Sequence, residues 1–106
     1  MFSSIIRKVE YNIMNKLEIA IEWAEEMDYT LLLLGGPEEQ QDFAEAFLGV
    51  AGDDPPIAVY SEEKVIDVFV ERDGMSYEEA LEWYDFNVKS AYMGENTPIF
   101  LMSFES

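Results

Sequence analysis

The stretch from Ser61 to Phe100, SEEKVIDVFVERDGMSYEEALEWYDFNVKSAYMGENTPIF, constrains the fold more than any other part of the chain, because helix starts, stops and apolar periodicity agree along it. Ser76 followed three residues later by Glu79 is a capping box: the hydroxyl accepts an orphan amide at the helix start while the carboxylate reaches back to the cap. From there Tyr77, Ala80, Leu81, Tyr84, Val88, Ala91 and Tyr92 recur at three- and four-residue steps and are expected to share one face, with Glu78, Glu82 and Asp85 on another. Gly94 is expected to supply a left-handed stop. Upstream, Ser61 opens a shorter helix with Glu62 and Glu63 in its first turn and Val65, Ile66, Phe69 and Val70 as its apolar side. Asp73-Gly74 ends it, and the single residue Met75 before the next cap demands a helical hairpin. Thr97-Pro98 then introduces a closing strand, Ile99 to Phe104.

The first half reads less sharply. Ser3 or Ser4 can cap a long helix over residues 1–28 with Ile6, Val9, Ile13, Leu17, Ala20, Ile21, Ala24 and Met27 on one side, ending near Asp28. Tyr29 to Leu34 is a continuous apolar run stopped by Gly35-Gly36, the pattern of a buried strand. Pro37, Glu38 and Glu39 have the chemistry of a first helical turn. Asp42 to Val50 fits a continuation of that helix through Phe43, Ala46, Phe47 and Val50; the composition of AFLGV also fits a strand, and helix is favoured. Gly52 to Pro56 is a turn-rich link and Ile57 to Tyr60 a short strand. The expectation is a single acidic α+β domain over 1–106, of order α-β-α-β-α-α-β, with helices packed on a small sheet and residues 57–104 as a β-α-α-β unit. No internal repeat or interdomain linker interrupts it.

The string DGMSYEEALEWYDFNVKSAYMGENTPIF, residues 73–100, resembles the C-terminal signature of a widespread group of small proteins of bacteria and especially bacteriophages, whose members carry a similar DGM, EEA, FNV, GAYVGE and TPIF series. PIAVYSEEKVI at 56–66 is similar to the segment before it, with Ser61 where an Asp is usual and Ser90 where a Gly is usual. The resemblance covers about the last half of the chain. It implies a phage-type accessory protein and a shared fold unit, and carries no established reaction.

Composition removes several chemistries. With 106 residues, 49% of them hydrophobic and 14% aromatic, the chain can bury a core of its own. It has no cysteine and no histidine, which excludes disulfides, thiolate nucleophiles, thiolate zinc sites and imidazole catalysis, and is suited to a cytoplasm. TLLLL, residues 30–34, is far short of a membrane span of ~18 residues. MFSSIIRKVEYNI lacks the unbroken apolar core of a signal peptide and reads as helix.

Candidate sites are few. Leu31 to Gly36 running into a helix suggests a phosphate loop, but the lysine and the serine or threonine that would follow are missing, and Glu38 and Glu39 would repel a phosphate; a structural turn is expected. Asp53-Asp54 and Asp73 lack the alternating oxygens of a calcium loop. No pair among 23 acids is singled out as a general acid and base, so no catalytic residue, cofactor or metal is expected. Asn87, mid-helix beside Trp83, is expected to bond to the loop around Gly94 to Thr97.

Charge is the strongest functional clue. Arg7, Lys8 and Lys16 against Glu10 give the first 16 residues +2, so residues 17–106 carry −19 of a net −17. Direct binding to nucleic-acid phosphates is excluded by that sign, and basic surfaces are the natural partners. Glu18, Glu22, Glu25 and Glu26 on the first helix, Glu63, Asp67 and Glu71 on the third, and Glu78, Glu82 and Asp85 on the fourth recur at helical spacing. Carboxylates four residues apart lie ~6 Å apart along the axis, so two interleaved rows present a charge about every 3 Å, close to the ~3.4 Å phosphate spacing of a DNA strand. With Trp83 as a hot spot among them, the expectation is a non-enzymatic protein that binds a basic partner through these residues, as an inhibitor or DNA mimic. The alternatives are a carboxylate-based enzyme or ligand-binding domain, and a structural or oligomer-forming subunit.

Overall fold

The computed structural model describes residues 14–52, 54–91 and 94–104. Helix α1 spans Lys16–Met27, a 3₁₀ segment Gln40–Ala46, strands β1 Phe47–Ala51 and β2 Ile57–Ser61, helices α2 Glu62–Asp73 and α3 Tyr77–Tyr84, a π-helical turn Asp85–Lys89, and strand β3 Ile99–Leu101. The sheet has the order β1-β2-β3, antiparallel between β1 and β2 and parallel between β2 and β3. A parallel return needs a long crossover, and the hairpin of α2 and α3 provides it. The α+β class read from the sequence is the architecture observed.

Register sorts the two sheet faces. Phe47 pairs with Tyr60, Val50 with Ala58, and Tyr60 with Phe100, so these five share the inner face. Ala58 and Tyr60 are fully buried there with Leu17, Val65, Ile66, Phe69, Ala80 and Tyr84. Aromatic rings run through this core edge to face: Phe47 on Tyr60 at 5.5 Å, and Phe100 on Tyr84 at 5.4 Å.

The hairpin expected from the second half is present. Ser61 Oγ accepts the Lys64 amide at 3.3 Å, and Ser76 and Glu79 form both bonds of the capping box. Gly74 ends α2 at φ 69°, a left-handed conformation that favours glycine. The outer face of α3 differs from expectation: Ala80 and Tyr84 are buried, but Tyr77 and Leu81 are exposed, because only the side turned to α2 and Phe100 meets the core. Helical turns stop at Lys89 with Ser90 as cap, before Gly94, which instead opens a turn closed by Thr97. The closing strand is shorter than Ile99 to Phe104, since only Ile99–Leu101 find partners on β2.

Three first-half expectations are corrected. Asn15 is extended and caps α1, its side chain accepting the Glu18 amide at 2.8 Å, so no continuous helix runs through residues 1–28; the cap at Ser3 or Ser4 lies outside the described residues. The end near Asp28 holds, with Asp28 itself left-handed. Tyr29 to Leu34 is not a strand. A continuous apolar run reports burial and not pairing, and Leu31, Leu33 and Leu34 pack on the core while side chains satisfy the backbone: the Tyr60 hydroxyl accepts the Leu34 amide at 3.0 Å, and Asn96 donates to the Thr30 carbonyl at 3.2 Å. Residues 42–50 are not one helix either. Phe43 and Ala46, three apart, turn one 3₁₀ face inward, and the chain extends at Phe47 to pair with β2, with a bulge between Phe47 and Gly49. The first strand therefore falls at 47–51 and not at 29–34, which changes the element order.

Candidate functional site: acidic faces and the Trp83 cleft

α1 presents Glu18, Glu22, Glu25 and Glu26 beside Met14 and Ile21 along an open groove of about 580 Å³. Glu25 and Glu26 are exposed and Glu18 and Glu22 half-buried. Glu18 also has a structural task, accepting the Asn15 amide at 3.0 Å in a second capping box. Glu63, Asp67 and Glu71 are all exposed on α2, where the opposite side buries Val65, Ile66 and Phe69. Glu78, Glu82 and Asp85 are exposed on α3 and the turn after it. Because α2 and α3 pack as a hairpin, their two rows belong to neighbouring helices; the α1 row belongs to a separate element.

Two of the four described cations are neutralised where they stand. Lys89 Nζ lies 3.3 Å from Glu62, which also accepts the Tyr84 hydroxyl at 2.9 Å. Burial first, and the Glu62 carboxylate second, push the Tyr84 phenol well above its ordinary range. Arg72 donates Nε and Nη2 to the two carboxylate oxygens of Asp73, each at 2.9 Å, and Nη1 to Asp42 at 3.3 Å, with Glu39 3.9 Å away. The hydrogen bond from Arg72 holds the Asp73 carboxyl below its usual value. The guanidinium also lies over the Phe43 and Phe69 rings, 5.3 and 5.6 Å from their centroids.

That guanidinium borders a cleft of about 400 Å³ between the 33–35 loop, the 3₁₀ segment, α2, α3 and the Thr97-Pro98 turn. Trp83, 46% exposed, lines this cleft and also borders a second hollow of about 320 Å³ edged by Met75, Glu79, Glu82 and Phe86. Asn87 borders both, but it is exposed and donates to the Trp83 carbonyl one turn back at 3.2 Å, so the expected bond to the 94–97 loop is not made. Asn96 and Thr97 order that turn instead. The cleft as a whole escaped the sequence reading, which singled out Trp83 and Asn87 among its residues, because its walls come from segments remote in sequence.

Gly35-Gly36 forms a turn into the 3₁₀ segment, where a Cβ at Gly35, whose φ is 84°, would stand 2.9 Å from the Glu39 Cβ. Asp73 is committed to Arg72, Asp53 lies outside the described residues, and among the described residues no three carboxylates converge in a metal-ligating set. No described helix is long and apolar enough to cross a membrane. Comparison of the chain with protein-family models, curated proteins and solved structures finds no match.

Proposed function

We propose that this chain is a non-enzymatic, phage-type accessory protein of the host cytoplasm that docks its carboxylate-bearing helix faces on a basic host protein and blocks or modulates the surface that protein uses for nucleic acid. The observation that carries the reading is the charge layout. Carboxylates stand exposed at helical spacing on α2 and on α3 with the turn after it, and Glu25 and Glu26 stand exposed on α1, while Arg72 and Lys89 are paired locally and add little to the outward field. A potential of one sign over several faces steers a cationic partner and opposes phosphate. Carboxylates one turn apart on a helix are separated by ~6 Å, so two rows that interleave would approach the ~3.4 Å spacing of a phosphate strand.

The test is capture from host lysate at two ionic strengths, followed by competition with duplex DNA. Basic nucleic-acid-binding proteins are expected to be retained at about 50 mM salt, released at about 500 mM, and displaced by DNA. Replacing Glu63, Asp67 and Glu71 by Gln is expected to weaken the captured complex at least about tenfold, because it removes three charges without disturbing the buried side of α2. Binding unchanged between the two salt concentrations defeats the proposal.

A further inference from the structure

We propose that the cleft beside Trp83 receives an arginine side chain of the basic partner, its guanidinium stacked on the indole between rim carboxylates and its methylene stem laid along the apolar wall. This rests on the docking reading above and narrows it from a set of faces to one position. Trp83 on α3 is 46% exposed and borders two cavities, so part of its ring is accessible to a ligand. An indole face is the strongest aromatic acceptor for a cation, and planar guanidinium stacks on it better than ammonium does. Leu34, Phe43 and Phe100 line the cleft on one side and suit an aliphatic stem. Carboxylates border both cavities with Trp83, Glu39 at the cleft and Glu79 and Glu82 at the hollow.

The chain's own Arg72 argues for a cation and against an anion as the occupant. Its Nε, Nη1 and Nη2 donors are engaged by Asp73 and Asp42, so it has little left to offer an incoming phosphate or carboxylate. Glu39, Asp42 and Asp73 all lie within 4 Å of this one guanidinium, so the Arg72 charge is more than balanced by its neighbours and does little to oppose an incoming cation. Glu79 and Glu82 at the neighbouring hollow add negative charge beside Trp83 that a guanidinium would complement and a neutral apolar ligand would not.

The experiment titrates the full chain into fluorescein-labelled hexa-arginine and hexalysine at about 50 mM NaCl, reading anisotropy. Hexa-arginine is expected to bind about fivefold tighter than hexalysine, and Trp83→Leu to erase that preference by weakening the arginine peptide alone. Trp83→Phe, which keeps a ring of weaker quadrupole, gives an intermediate preference and guards against a Leu variant that folds poorly; circular dichroism checks both. Equal affinity for the two peptides, or an arginine preference that survives both substitutions, overturns the cleft while leaving acidic docking in place. Failure of hexa-arginine to bind overturns both.

Discussion

Single side chains hold this fold at places where backbone pairing does not. The Tyr60 hydroxyl bridges the sheet to the leucine run by accepting the Leu34 amide, and the Tyr84 hydroxyl ties α3 to Glu62 at the start of α2. Tyr60→Phe leaves the part-buried Leu34 amide without its acceptor, and Tyr84→Phe removes a donor to a carboxylate. Each is expected to cost about 1–2 kcal/mol, measured as a lower urea midpoint at unchanged slope. Burial raises both phenol pKa values above the ordinary ~10. A raised folded value means the neutral phenol is favoured in the native state, so this stabilisation is full below about pH 10 and lost as pH rises through the folded values. Alkaline unfolding is therefore expected to begin above about pH 10, with these two tyrosines ionising only as the chain unfolds. Phenolate absorbance that rises smoothly with no loss of helix would contradict the assignment.

At the level of elements, the α2–α3 hairpin rests on its end residues as much as on its core. Gly74 stands at φ 69° with open space where a Cβ would be, so Gly74→Ala tests backbone conformation without a clash. The expected loss is about 1 kcal/mol. Ser76→Ala removes the Glu79 amide's acceptor and is expected to cost about 1 kcal/mol. The Ser76 amide, followed by its hydroxyl, holds the Glu79 carboxyl below its ordinary range. That contribution is thus present above the unfolded value of about 4.3 and fades as pH falls through the lower folded one. Thermal melts of both variants check the pair; a Gly74→Ala protein as stable as the parent would show that the left-handed turn is not needed.

On the scale of the whole molecule, a net charge of −17 on 106 residues opposes compaction by self-repulsion. The exposed pairs around Arg72 and Lys89 are too few and too well solvated to offset it, being worth about 0–1 kcal/mol each. Raising NaCl from about 10 mM to about 500 mM shortens the screening length from roughly 30 Å to a few ångströms. The melting temperature is expected to rise by about 4 °C or more, which corresponds to ~1 kcal/mol for a domain of this size. A fall would mean that attractive pairs outweigh the repulsion. The same screening weakens the proposed docking, so stability and binding should move in opposite directions with salt.

Local chemistry by itself determined the caps of the α2–α3 hairpin. Ser61, Gly74, Ser76 and Glu79 act on groups within three or four residues of themselves, so the start and stop of α2 and the start of α3 could be read without knowing what lies alongside. Tertiary structure decided everything that depends on distant partners. Leu31 to Leu34 became an unpaired apolar support because Tyr60 and Asn96 answered its backbone, Phe47 to Ala51 became a strand because Ile57 to Tyr60 offered a ladder, and the Trp83 cleft exists only where segments remote in sequence meet. Caps are short-range hydrogen bonds; strand pairing and cavities are long-range geometry, which no window of neighbouring residues contains.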